Sequence, residues 1–115
     1  MRRVKASVAH QIPDRPPIQL KIGDEVVVGD HNTEWPAFVF VTTSSGAGWV
    51  PARHLSQASG PAVVREAYDT TELPTDIGEH LLVKREDLDS GWLWCRSSNG
   101  REGWVPVETV EDVVQ

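Results

Sequence analysis

The sequence GWVP occurs twice in this chain, at Gly48–Pro51 and again at Gly103–Pro106, which is 55 residues later. A second pattern, IGDEV at Ile22–Val26, returns at the same shift of 55 as IGEHL at Ile77–Leu81. Two blocks in the same order and at the same spacing are typical of an internal duplication. We therefore expect two copies of one small module in tandem.

The residues between these blocks indicate where the loops and the boundary of the two copies lie. Trp35 corresponds to Trp92 at a shift of 57, as expected where loops of different length connect fixed strands. The segment 56–61 is small, polar and without apolar periodicity, which is typical of a linker. The predicted modules are residues 1–57 and 62–115, with residues 58–61 as the linker.

The local pattern of both copies favours short β-strands. Neither copy has an apolar stripe with helical spacing, and both have β-branched runs interrupted by Gly, Pro, Asn and Asp. Asn99-Gly100 predicts a type I′ hairpin turn. The predicted strands are 3–9, 24–29, 36–43, 47–51 and 54–57 in the first copy, and 62–68, 79–85, 92–97, 102–106 and 109–113 in the second.

The predicted fold class follows from the number and length of these strands. Five short strands in about 55 residues must curl into a small barrel to cover an apolar core. The sequence therefore predicts an all-β protein of two tandem five-stranded small barrels.

The net charge of −6 lies in the second half of the chain. Residues 1–60 hold six Lys/Arg against five Asp/Glu, whereas residues 61–115 hold five against twelve. This balance disfavours a nucleic-acid partner, which needs a basic surface. It favours a basic partner through electrostatic complementarity. The alternative is that the acidic charge only maintains solubility.

Several chemical functions find no support in the sequence. The single cysteine, Cys95, excludes an internal disulfide and any multi-cysteine metal site, and its alternation with Trp92 and Trp94 predicts a buried position. The four histidines lack metal-ligand spacing. No phosphate-binding loop, nucleophile elbow or paired-carboxylate arrangement occurs. We expect no catalytic residue, no metal and no cofactor.

The sequence also indicates a compartment. The basic residues at the N-terminus are not followed by an apolar run. No segment approaches the roughly 20 apolar residues of a transmembrane helix. We expect a cytoplasmic protein with no membrane partner.

The motifs of the second copy resemble those of SH3 domains, of the bacterial or variant type. Ala67-Tyr68-Asp69 resembles the end of the family's A-L-Y-D-Y strand, and Glu72-Leu73 with Ile77-Gly78-Glu79 resembles the end of its long RT loop. Gly91-Trp92 resembles the start of the family's third strand, and the second GWVP resembles the stretch before its short 3₁₀ turn. In the first copy, Gly23-Asp24, Trp35 and the first GWVP resemble the same motifs.

This resemblance implies two shallow grooves for polyproline-II segments. In the second groove, ring and proline positions fall on Tyr68, Trp92 and Pro106, with acidic loop residues beside them at Asp69, Glu72, Asp76, Asp87 and Asp89. In the first groove, the corresponding positions are Trp35, Pro51, His10 and His54, with Val8 in place of the first tyrosine. The acidic loops would pair with an Arg or Lys of the ligand.

The function expected from this resemblance is that of a non-catalytic adaptor. It would bind an extended segment of another protein that contains proline or basic residues. An alternative within the same resemblance is an SH3-like module that binds cell-wall peptidoglycan. Single-stranded nucleic-acid binding and a purely structural role are further alternatives, and the acidic second half disfavours the first of these.

Overall fold

A computed structural model of the protein describes residues 2–113. Within these residues the helical segments are two 3₁₀ turns, Ala52–His54 and Val107–Thr109, so the all-β class is confirmed. The eleven strands, in chain order, are β1 (Arg3–Ala6), β2 (Gln19–Leu20), β3 (Glu25–His31), β4 (Phe38–Thr43), β5 (Gly46–Pro51), β6 (Gly60–Val63), β7 (Tyr68–Asp69), β8 (His80–Asp87), β9 (Trp92–Ser97), β10 (Glu102–Pro106) and β11 (Val110–Asp112).

The chain forms two compact units whose limits differ from the predicted modules. One unit, here called the central unit, is Arg15–Thr70. The other, the split unit, joins the residues up to Asp14 to those from Thr71 onward. The predicted modules 1–57 and 62–115 were contiguous, and their outermost residues 1, 114 and 115 lie outside the described part of the chain.

The split unit has a five-stranded sheet in the order β10-β9-β8-β1-β11. In this sheet β1 pairs with both β8 and β11 in antiparallel register, with Val4 opposite Leu81 and Ala6 opposite Val110. Val4 is fully buried because it alternates with the exposed Arg3 and points into the core. The buried core of this unit consists of Val4, Leu73, Leu81, Val83, Leu93, Cys95 and Val105.

The central unit has a four-stranded sheet in the order β5-β4-β3-β6 and a two-stranded sheet of β2 and β7. Here β6 pairs with β3, with Ala62 opposite Val26, and an isolated bridge joins Val64 to Leu55. The predicted strand 54–57 is reduced to this bridge. The buried apolar residues of this unit include Val26, Val28, Val39, Val41, Val50, Ala62 and Val64.

Relative to the predicted modules, the first strands are exchanged between the two units. The N-terminal β1 lies beside β8, which falls in the predicted second module, and β6 lies beside β3, which falls in the predicted first module. β1 buries Val4 and Ala6, and β6 with the residue after it buries Ala62 and Val64, so both segments present small apolar residues to a core at alternate positions. The exchange therefore satisfies the hydrophobic pattern while changing which residues share a unit.

The turn between β9 and β10 also differs from the expectation. Gly100 has a φ of +87°, whereas no described non-glycine residue has a positive φ. The N–H of Gly100 donates to the carbonyl of Ser97 at 3.0 Å, and the N–H of Ser97 donates to the carbonyl of Arg101 at 2.8 Å. This is the three-residue loop with a glycine bulge and not the predicted type I′ turn, because Asn99 keeps a negative φ.

Candidate functional site

The split unit carries an aromatic and proline corner on one face of its sheet. Trp92, the first residue of β9, lies opposite Pro106 of β10 and opposite Asp87 of β8. Directly opposed residues of antiparallel strands have neighbouring side chains on the same face. Trp92 is half-buried and Pro106 is buried, so the indole stands beside the proline with part of its surface open to solvent.

His10, from the N-terminal arm, packs against this corner. Its backbone exchanges two hydrogen bonds with Thr75, each 3.1 Å long, which hold the arm in place. The His10 ring meets the Trp92 ring edge-on, with centroids 5.6 Å apart. His10 Nε2 lies 2.9 Å from Glu72 Oε1, so a carboxylate orients the imidazole. We name the set Asp87, Trp92, Pro106, His10 and Glu72 the split-unit groove.

Glu72 is positioned by the backbone that runs along β10. The N–H of Trp104 donates to the carbonyl of Thr71 at 2.9 Å, and the N–H of Leu73 donates to the carbonyl of Trp104 at 3.0 Å. A Cβ on Gly103 would lie 2.7 Å from the backbone of Glu72 and Leu73, so glycine permits this close approach. The Glu72 side chain is thereby held near His10.

Asp76 and Asp89 lie in the two turns that flank β8, and Asp87 is the last residue of that strand. The Asp76 N–H donates to Glu79 Oε1 at 3.1 Å in the turn before β8. The Asp87 carboxylate accepts from the Ser90 N–H at 3.4 Å, and Asp89 is exposed in the same turn. The split unit holds seven Lys/Arg and eleven Asp/Glu, a net charge of −4, against four and six in the central unit. The larger negative charge lies on the unit with the Trp92 corner.

A second aromatic cluster on the split unit was not predicted as a set. Trp94 and Trp104 lie opposite each other and meet edge-on at 5.2 Å. The Arg85 guanidinium lies 5.5 Å from the Trp94 ring and 5.7 Å from the Trp104 ring. Trp94 Nε1 donates to Glu102 at 2.8 Å. Trp104 is buried.

The central unit brings together Tyr68 and His54, which the sequence motifs assigned to different grooves. Their rings meet edge-on with centroids 5.1 Å apart, and both residues are buried. His54 Nδ1 lies 3.1 Å from the carbonyl of Glu66. Tyr68 pairs with Leu20 in the central unit, and His10 forms the corresponding bridge to Thr75 in the split unit. The segment that carries each ring therefore lies in the same unit as the first strand that precedes it.

Trp35 does not occupy the place that corresponds to Trp92. Pro51 lies opposite Phe38, so Phe38 is the residue at the Trp92 position of the central unit. Trp35 precedes it in a turn, where its N–H donates to Asn32 Oδ1 at 3.0 Å and its carbonyl accepts from the Phe38 N–H at 2.9 Å. Trp35 is displaced from the Trp92 position because the loop between β3 and β4 is longer than the loop between β8 and β9.

The other predicted site residues are distributed over both units, because the first strands are exchanged between them. Asp69 lies in the central unit, where it accepts from Gln19 Nε2 at 3.2 Å. Val8, expected at the first tyrosine position, is exposed, and His10 has the position of that tyrosine. Tyr68 is therefore absent from the split-unit groove, and His10 is absent from the central unit.

The chemistry available to the described residues is limited. No three His, Cys, Asp or Glu side chains among residues 2–113 are arranged to hold a metal ion. Burial raises the pKa of the Cys95 thiol to about 11, so the thiol is protonated at neutral pH. Residues 2–113 contain no helix that could span a lipid bilayer.

Comparison with known proteins identifies one part of the chain. The family model of the variant SH3 domain matches residues 64–113, which is 50 of the 115 residues. A variant SH3 domain is therefore detected at residues 64–113, and domains of this kind generally bind peptides or proteins. No curated protein and no solved structure matches the chain.

Proposed function

We propose that the protein is a non-catalytic adaptor that binds an extended, proline-containing and basic segment of another protein. The observation that carries this proposal is the row Asp87, Trp92 and Pro106, with His10 edge-on to Trp92 at 5.6 Å. An indole beside a proline offers a flat apolar surface to the rings of a polyproline-II segment. The carboxylates of Asp87 and Glu72 stand at the same corner and suit an Arg of that segment.

The central unit is proposed as a second module of the same type. Its sheet repeats the pairing of the split unit, with Pro51 opposite Phe38 and the Tyr68 ring against His54. Its rings are more deeply buried, so we assign the stronger site to the split unit. Two linked sites would raise the affinity for a ligand with two motifs through effective concentration.

The proposal is tested by calorimetric titration with two synthetic peptides. One is a twelve-residue proline-rich peptide ending in two arginines, and the other carries glutamates in place of the arginines. Trp92→Ala should weaken binding of the first peptide at least about tenfold, because anchor residues dominate such interfaces. Trp94→Ala, which removes an indole from the same strand outside the groove, is the control and should change the affinity less than about twofold.

Two results would overturn this function. Equal binding of the arginine and glutamate peptides would remove the role of the carboxylates. Co-sedimentation with purified peptidoglycan sacculi, without binding of either peptide, would replace peptide recognition by cell-wall recognition. A cytoplasmic location is part of the same proposal and would be contradicted by finding the native protein in the cell wall.

A further inference from the structure

A basic row crosses the split-unit sheet away from the Trp92 corner. Arg3 of β1 lies opposite Leu82 of β8, and Leu82 lies opposite Arg96 of β9. Opposed residues share one face, so the two arginines flank Leu82 on the outer surface of the sheet. His80 precedes Leu82 by two residues on β8 and shares that face.

This row borders a shallow depression with a volume of about 230 Å³. Arg3, His80 and Arg96 line it together with Leu82 and Ser98. Arg3, His80 and Arg96 are exposed, whereas Leu82 is half-buried and provides an apolar floor. The depression therefore combines an apolar centre with a cationic rim.

The charges of this rim are incompletely neutralised. Arg2, one residue earlier, is fully engaged, with Glu86 at 2.5 Å and Asp112 at 2.8 Å. Arg3 has no ion pair with any residue in the described part of the chain, and Arg96 lies 3.9 Å from Glu102, a long contact. In a chain with a net charge of −6, such a cationic depression suits an anionic ligand.

We propose that this depression is a second binding site, for an acidic peptide segment of a partner protein. Two neighbouring strand spacings place the Cα atoms of Arg3 and Arg96 about 10 Å apart. Carboxylates four positions apart on an extended peptide lie on one face about 13 Å apart, and the residue midway between them shares that face. The long side chains of Arg3 and Arg96 let each guanidinium reach one of these carboxylates. An apolar side chain of the same peptide covers Leu82, which a small inorganic anion cannot do. The site shares no residue with the split-unit groove and stands independently of the adaptor proposal.

The test is fluorescence titration with the peptide Ser-Glu-Ser-Leu-Ser-Glu-Ser-Ser, whose two glutamates and leucine share one face when the chain is extended. The Arg3→Gln/Arg96→Gln double variant should lose at least about tenfold in affinity, because both charge-assisted contacts are removed. The control, Lys84→Gln/Arg101→Gln, removes the same charge from exposed positions of the same unit that do not line the depression, and should lose less than about twofold. Circular dichroism verifies that both variants are folded.

Two outcomes would overturn the site. An equal loss in the two double variants would reduce the binding to non-specific charge attraction. Displacement of the peptide by inorganic phosphate at equal concentration would make the depression a simple anion site. If the Arg3→Gln/Arg96→Gln variant does not fold, amide-shift mapping of the unmodified protein replaces it. The proposal then requires the peptide to shift the amide signals of Leu82 and Arg96. A shift of the Trp92 amide without these two would contradict the proposal.

Discussion

Burial controls the acid–base behaviour of Cys95, which lies in the core of the split unit. Desolvation raises its pKa to about 11 from an ordinary value of 9.0. The thiol of the unfolded chain ionises first as the pH rises, so between these two values the unfolded state binds fewer protons than the folded state. Linkage then requires that stability be complete below pH 9 and fall as the pH rises from 9 towards 11.

We predict that the free energy of unfolding decreases by about 2–3 kcal/mol across this pH window, from about 1.4 kcal/mol per pKa unit. Urea denaturation at pH 8, 9, 10 and 11 measures it. Cys95→Ala is the control: it is less stable at every pH because of the cavity it leaves, but its pH dependence lacks the Cys95 contribution. Parallel pH curves for the two proteins would contradict the prediction.

Gly103 is required by the close approach of the backbone of Glu72 and Leu73, because a Cβ at position 103 would lie 2.7 Å from each of them. Gly103→Ala should destabilise the protein by about 1–3 kcal/mol, because backbone cannot yield as a side chain can. Gly29→Ala is the matched control in β3, where the nearest atom to a Cβ would be an ordinary 3.5 Å away. Chemical denaturation compares the two, and similar losses would refute the proposed crowding at Gly103.

At the scale of elements, the N-terminal arm completes the split-unit groove. His10 reaches Trp92 only because β1 and the bonds to Thr75 hold the arm on this unit. His10→Ala should weaken binding of the proline-rich peptide about fivefold, because the edge-on ring contact with Trp92 and the contact with Glu72 are both lost.

The control for this prediction is His31→Ala, which removes an exposed imidazole of β3 that lies in neither proposed site. In calorimetric titration, the control variant should bind the proline-rich peptide with the affinity of the unmodified protein. Equal weakening by both variants, or by neither, would mean that the arm does not contribute to the groove.

Most elements could be predicted from the sequence, because local patterns determine them. The strand predicted at 92–97 is Trp92–Ser97 and that at 102–106 is Glu102–Pro106. Two-residue strands such as β2 and β7 are too short to leave a period-2 signal. Phe38 was missed as the partner of Pro51 because the obvious landmark, Trp35, lies three residues earlier in a turn.

At the scale of the whole molecule, the exchange of first strands could not be read from the sequence. Val4 and Ala6 are buried at alternate positions, and so are Ala62 and Val64. Such alternation predicts which face of a strand is buried, but it does not predict the sheet that the strand joins. The exchange also changes the site residues, because Tyr68 lies in the central unit and His10 lies in the split unit, each opposite to its predicted module. Predicting the groove members therefore required the topology and not only the motifs.

Disulfide trapping tests the exchange directly. In a Cys95→Ala background, Lys5→Cys/His80→Cys should oxidise readily, because Lys5 and His80 are opposed in the sheet and such Cα atoms lie about 4.5–5.5 Å apart. Lys5→Cys/Glu25→Cys is the control, since contiguous modules would put Lys5 opposite Glu25, where Val63 now lies. Peptide mass spectrometry of dilute samples reads the crosslink, and preferential oxidation of the control pair would contradict the exchange.

The central claim is that the split-unit groove recognises a proline-rich, arginine-containing peptide. Amide-shift mapping of the labelled protein during titration with that peptide tests it most directly. We expect the largest shifts at Trp92, His10 and Asp87, which the register and ring contact bring together. Absence of shifts at these residues at saturating peptide, or shifts confined to other surfaces, would contradict the claim.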